Sequence, residues 1–278
     1  MNFISYATLA KDIERIVPTL PKDIGLVVGV PRSGLIVALL IAQQLKCPVA
    51  SLDWPEGYHI GFSKRLKGQK LGSRILLVDD SARTGNTMKR AIETLKEKIK
   101  DHDISTLCMY VTGDTVGMVD YHSRLLPACR LFQWNALNHS LLRTSLVDID
   151  GVLCRDPEKA EYTNASKMAA FVENVVPKIR AEYRTMAYVT WRPVTLKGRT
   201  VRWLKTHGFR YGKIYFRPEN MTERVGVSAQ TKAQWKANVY KKHKDARLFI
   251  ESNSEIAKHI WRLTKRPVLA TDQWRLFA

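Results

Sequence analysis

Two pairs of carboxylates in this chain follow directly on apolar runs. In Ile75–Thr87, reading ILLVDDSARTGNT, Asp79 and Asp80 are adjacent and lead into Ser81, Ala82, Arg83, Thr84, Gly85, Asn86 and Thr87. A turn of small and hydroxyl residues at a helix N-terminus offers free backbone amides, which suit a phosphate group. The two acids beside it can hold ribose hydroxyls or a magnesium ion, which prefers oxygen ligands. In Leu146–Leu153 (LVDIDGVL), Asp148 and Asp150 are spaced i, i+2 and project from the same side of an extended chain. Gly151 next allows a sharp turn. That spacing suits covalent phosphoryl transfer: one carboxylate attacks phosphorus and the other protonates the leaving oxygen.

Positioning these acids requires strands that end where they begin. Ile75–Val78 is apolar throughout, as a strand buried on both faces of a parallel sheet must be. The helix expected from about Thr87 places Met88, Ile92, Leu95 and Ile99 on one face. Upstream, Tyr6–Val17 reads as an amphipathic helix closed by Pro18 and Pro21. Ile24–Val30 is a buried strand that runs into Pro31-Arg32-Ser33-Gly34 and an apolar helix, Leu35–Leu45. Pro48–Leu52 and Ser105–Val111 are further strands, and Leu131–Trp134 reads as the last of this half.

In the second half, Met186–Val189 is an apolar strand ending in Thr190, with Arg192-Pro193 after it. Lys236 opens a helix that leads to Leu248–Ile250, a strand followed by Glu251, Ser252 and Asn253. Ser166–Val176 and Arg199–Leu204 read as helices, Lys213–Phe216 as a strand, and Arg266–Leu269 as the closing strand.

The chain has 278 residues, room for two ordinary domains, and 45% of them are hydrophobic, enough for a core in each. Cys47, Cys108, Cys129 and Cys154 lie far apart without CxxC spacing, so they read as reduced thiols of a cytoplasmic protein. No signal peptide opens the sequence, and no apolar run nears the roughly 18 residues needed to cross a membrane. Net charge is +19. It is uneven: up to Ser140 there are 18 Lys and Arg against 13 Asp and Glu, and beyond it 27 against 13, a net +14. Such a field steers anionic small molecules and nucleic acid alike.

The Ile75–Thr87 stretch closely resembles the PRPP-binding motif of type I phosphoribosyltransferases. The resemblance implies that Asp79 and Asp80 grip the ribose hydroxyls of PRPP and that Ser81–Thr87 hold its 5′-phosphate. Pro31–Gly34 stands where that family has its pyrophosphate loop. Arg32 and the Ser33 and Gly34 amides would then neutralise the departing pyrophosphate. The family also has a mobile catalytic lid in the interval Asp53–Ser73, which here carries Trp54, Tyr58, Lys64, Arg65, Lys67 and Lys70. Its base-recognising hood is variable. Phe132 or Trp134 stacks on an aromatic base or belongs to the core.

Leu146–Leu153 resembles motif one of the haloacid dehalogenase superfamily, in which DxDG marks phosphatases. On that resemblance Thr190 is the motif-two hydroxyl that binds the transferring phosphoryl, and Lys236 is the motif-three lysine, with Lys232 as the alternative. Glu251–Asn253 stands for motif four. The family has two acids there, and this chain has one, with Asn253 able to offer a carbonyl without charge. The implied magnesium set is Asp148, Asp150, Glu251 and Asn253. Arg192, Lys197, Arg199 and Arg202 either gather at the site or form a solvated basic face. The small segment between motifs one and two implies a small cap and an open site.

The expectation is therefore two α/β domains with mainly parallel sheets: a phosphoribosyltransferase domain at 1–140 and a haloacid dehalogenase-like phosphatase domain at 144–278. Together they imply a bifunctional, magnesium-dependent enzyme and a homo-oligomer. It would take PRPP, a nitrogenous base and a phosphomonoester, and in series it would make a nucleotide and then a nucleoside. Two alternatives stand beside it: a nucleic-acid-binding regulator that senses PRPP or nucleotides, and a phosphatase acting on nucleic-acid ends.

Overall fold

A computed structural model of the chain describes residues 1–52, 73–98, 102–127, 129–180, 182–219 and 227–278. Two compact units make up the chain, Asn2–Arg130 and Leu131–Ala278.

In the first unit a short strand β1 (Asn2–Ile4) precedes helix α1 (Tyr6–Ile16). The Ser5 hydroxyl caps α1 by accepting from the Thr8 amide at 3.1 Å, and Leu9 and Ile13 are buried beneath it. Then follow β2 (Ile24–Gly29), α2 (Gly34–Leu45), β3 (Val49–Ser51), β4 (Arg74–Ser81), α3 (Asn86–Lys98), β5 (Asp103–Val111) and β6 (Tyr121–Leu125). The five-stranded sheet has the order β3-β2-β4-β5-β6, and every pairing is parallel. Val28, Ile75 and Leu77 of the sheet pack with Met88, Ala91 and Leu95 of α3, and Ile92 is partly buried against them. Ile99, expected on the same face, lies outside the described residues, as do residues 53–72 of the expected lid.

One boundary differs from the sequence reading. The strand expected to stop at Val78 continues through both acids to Ser81. Strand β5 is nine residues long and extends the ladder beyond Val78. Asp79 stands opposite Cys108, Ser81 stands opposite Tyr110, and the Ala82 amide donates to the Tyr110 carbonyl at 3.0 Å.

The second unit begins within the short strand β7 (Arg130–Phe132). Its elements are β8 (Ser145–Val147), α4 (Lys159–Tyr162), α5 (Ala165–Asn174), β9 (Thr185–Pro193), α6 (Lys197–Thr206), β10 (Tyr211–Arg217), α7 (Ala229–Lys242), β11 (Leu248–Glu251), α8 (Ser254–Thr264), β12 (Val268–Ala270) and β13 (Arg275–Phe277). Strand order is β10-β9-β8-β11-β12-β13, parallel except for β13, which runs antiparallel to β12. Leu146, Val189, Phe249 and Val268 of the sheet pack with Ala233, Ala237 and Tyr240 of α7 and Ile260 of α8.

Each sheet reverses its winding once. From β2 the chain adds β3 on one side and then β4 on the other. From β8 it adds β9 and β10 on one side and then β11 on the other. In open α/β sheets ligands bind beyond the carboxyl ends of the strands at such a reversal. The acid pairs sit at these two places.

Candidate active sites

At the first reversal the loop leaving β2 meets the end of β4. The Val30 amide donates to the Val78 carbonyl at 2.8 Å. A Cβ on Gly34 would lie 2.8 Å from the Val78 oxygen and 3.1 Å from Asp79 Oδ1, so this helix start tolerates no side chain. Arg32 is exposed, Ser33 half-buried and Gly34 buried, and the Pro31–Arg32 peptide bond is cis. The loop thus brings the start of α2 against Asp79.

Asp79 and Asp80 are both buried, and Asp79 Oδ1 accepts from the Asp80 amide at 2.8 Å. Burial, and then the charge of Asp80, push Asp79 from the ordinary 3.8 up to about 8. A buried acid pair of this kind favours a ligand that donates hydrogen bonds, as sugar hydroxyls do.

The turn after β4 is held from below. Thr115 Oγ1 donates to the Ala82 carbonyl at 3.2 Å, and Thr112 Oγ1 to the Arg83 carbonyl at 3.4 Å. Gly85 has φ +74°, the left-handed region that favours glycine, and a Cβ there would strike Met118 Sδ at 2.3 Å. Ser81 is half-buried, Ala82 is buried, and Arg83, Thr84, Asn86 and Thr87 are exposed. The first amides of α3 have no partner within the helix and are free for an anion. All the residues read as PRPP ligands therefore belong to this one edge of the sheet.

The second cluster is drawn from three adjacent strands. Asp148 follows β8, Thr190 and Arg192 close β9, and Glu251 ends β11. Lys236, from the second turn of α7, reaches Asp148 Oδ2 at 2.5 Å and Glu251 Oε2 at 2.6 Å. Burial opposes its charge, but the two carboxylates outweigh that and hold the ammonium above its ordinary range. Burial likewise pushes Asp148 upward, and Lys236 opposes the shift. Arg192, 1% exposed, donates to Asp150 from Nε at 3.0 and 3.1 Å and from Nη2 at 2.6 Å. Thr190 is buried and its Oγ1 accepts from the Arg192 amide at 3.2 Å. Gly151 has φ +76°, and a Cβ there would lie 2.3 Å from Ser252 Cβ and 2.6 Å from Asp156 Oδ2.

The side chains left open by the sequence take distinct places. Lys236 makes the Asp148 contact, while Lys232 lies over the rings of Tyr162 and Trp191 at 5.5 and 5.8 Å. Of the four basic residues, Arg192 near the end of β9 is in the cluster, whereas Lys197, Arg199 and Arg202 of α6 are exposed and Arg199 pairs with Glu173 at 3.1 Å. Phe132 is buried and stacks on Trp134 with centroids 4.8 Å apart, so that face of each ring is taken by the other.

The residues expected to hold magnesium already have protein partners: Asp148 and Glu251 share Lys236, and Asp150 pairs with Arg192. Among the described residues no group of three or more His, Cys, Asp or Glu side chains is arranged to hold a metal ion. The Lys236 ammonium stands between Asp148 and Glu251, and Glu251 Oε1 accepts from the Ser252 and Asn253 amides at 3.0 and 3.2 Å. Asn253 Oδ1 caps α8, accepting from the Ile256 amide at 3.0 Å. At the first site the fit is different: two adjacent acids match a magnesium ion that arrives on its substrate, since this ion is usually bound by one or two carboxylates plus phosphate oxygens.

Some neighbours had no sequence signal. Arg130 carries charge toward Asp79 and Asp80. Lys178 Nζ donates to the Gly151 carbonyl at 3.0 Å, and Cys154 Sγ lies 3.5 Å from Asp150 Oδ1. Arg130 and Lys178 come from segments without a motif and reach their sites only through tertiary folding, whereas Cys154 directly follows the Leu146–Leu153 stretch.

No curated protein matches the chain. Among solved structures, it is similar to a purine phosphoribosyltransferase from Pyrococcus horikoshii Ot3, with 23% identity and a TM-score of 0.37 over 48% of this chain and 94% of that one. It is similar to the xanthine-guanine-hypoxanthine phosphoribosyltransferase of Helicobacter pylori, with 17% identity and a TM-score of 0.37 over 48% and 91%. An orotate phosphoribosyltransferase from Aeropyrum pernix shares 22% identity and a TM-score of 0.32 over 41% and 62%. The family described as phosphoribosyl transferase domain matches residues 5–134, so the first unit of this chain carries a domain of that kind.

Proposed function

We propose that the first domain, residues 1–140, transfers the phosphoribosyl group of PRPP to a nitrogenous base and releases pyrophosphate. The observation that carries this reading is the meeting of two helix-start loops and two buried acids at one sheet reversal, with Gly34 packed directly on Asp79. Asp79 and Asp80 take the ribose hydroxyls, and the amides of Arg83–Thr87 with the Ser81, Thr84 and Thr87 hydroxyls take the 5′-phosphate. Arg32 and the start of α2 offset the charge that grows on pyrophosphate as the anomeric bond breaks. Magnesium belongs to this site as an ion carried by PRPP.

For the second domain, 144–278, the reading is a haloacid dehalogenase-like phosphatase. Asp148 attacks phosphorus to form an aspartyl-phosphate, and Asp150 protonates the leaving oxygen and then deprotonates the attacking water. Lys236 keeps the buried acids compensated and Arg192 orients Asp150. In series the two domains would convert base and PRPP to nucleotide and then nucleoside. Incubation with PRPP, magnesium and a panel of bases, followed by mass spectrometry, tests both steps. Nucleotide formation supports the transferase, and loss of its phosphate in the wild type but not in Asp148→Asn supports the phosphatase. No product with any base would reject the first reading.

A further inference from the structure

The cationic residues of the second unit are not confined to the carboxyl end of its sheet. Arg143 lies in the helical turn just before β8, Arg184 immediately before β9 and Arg210 immediately before β10. These three strands are neighbours, in the order β10-β9-β8. Adjacent strands are about 4.8 Å apart, so their entry points form a row across roughly 10 Å. All three arginines are exposed, and all line one groove of about 550 Å³. A fourth exposed arginine, Arg247, stands just before β11 and extends the row along the same edge.

Little in the groove neutralises this charge. Among the described residues, Glu182 is the one carboxylate lining it, against three guanidinium groups. The Arg143 guanidinium lies over the Tyr183 ring, 5.5 Å from its centroid, so an aromatic side chain flanks the row. Gly212 contributes no side chain to the groove, and a Cβ there would lie 2.5 Å from the Met186 carbonyl oxygen.

We propose that this amino-edge groove binds the phosphate backbone of a single-stranded nucleic acid. A guanidinium fork matches a phosphate in a bidentate manner. Guanidinium groups spaced strand by strand suit successive phosphates better than a single anion, and an aromatic ring beside such a row offers a base a stacking surface. The groove is roughly 17 Å from Thr190, five residues along β9. The inference does not rest on the reading of either catalytic site.

The test is fluorescence anisotropy of the full chain with labelled single-stranded RNA and DNA 20-mers, titrated with salt around 0.15 M. Arg143→Ala with Arg184→Ala is expected to weaken binding at least tenfold. The slope of log K against log salt should fall by about 1.4, since each single-strand phosphate contact is worth about 0.7. Lys167→Ala with Arg202→Ala removes equal charge from α5 and α6 and should change affinity less than about twofold. In the wild type, hydrogen exchange should show oligonucleotide protection at 182–186. Equal losses in the two double variants would reduce the effect to net charge and overturn the proposal. So would protection elsewhere, or a wild type that binds neither 20-mer while inorganic phosphate or a mononucleotide still protects 182–186.

Discussion

Asp79 is a residue whose chemistry depends strongly on its surroundings. Its pKa is raised from 3.8 to about 8, so its ionisation costs folding free energy. That cost is absent below pH 3.8, grows as pH rises and is complete above about 8. Denaturant unfolding at pH 5 and pH 8 should therefore show the wild type losing more stability between the two than Asp79→Asn does. Equal losses would mean that Asp79 ionises as freely as an exposed acid. Lys236 poses the opposite case. Replacing it with Met leaves Asp148 and Glu251 buried without a counter-charge, which should cost about 3–5 kcal/mol at neutral pH. The loss should shrink at low pH, where the acids accept protons. At this scale the sequence made the acid pairs legible, because an apolar run ending in carboxylates is a local pattern. It could not show that Asn253 is used up as a helix cap or that Lys236 fills the place between two acids. Those outcomes depend on which atoms meet across the sheet.

Among the elements, the four-residue apolar runs marked the buried strands, because parallel strands covered on both faces must be apolar throughout. The ends were less legible. Strand β4 runs past its acids because β5 supplies partners, and β13 has three residues with too little pattern to read. The join between β2 and α2 gives the sharpest element-level prediction. Gly34→Ala would put a methyl group 2.8 Å from the Val78 oxygen and 3.1 Å from the Asp79 Cα, against backbone that cannot swing aside. The expected result is weaker PRPP binding and a loss of about 1–3 kcal/mol in stability, the usual cost of overpacking. Calorimetric titration with PRPP and thermal melts would check both. Wild-type affinity in Gly34→Ala would mean that the two loops do not form one site.

Taken whole, the chain places an acid cluster at the reversal of each of two separate sheets. No helix among the described residues is long and apolar enough to cross a membrane. If the units carry separate chemistry, Asp148→Asn should abolish phosphate release and leave pyrophosphate release unchanged, as coupled assays of each product would show. Loss of both would tie the units together. The proposal for the first domain meets its most direct test in pyrophosphate release from PRPP with magnesium and each of a panel of bases, comparing wild type with Asp79→Asn/Asp80→Asn. The wild type should release pyrophosphate only when a base is present, and the double variant should release none. Release at the wild-type rate from the double variant would contradict the proposal.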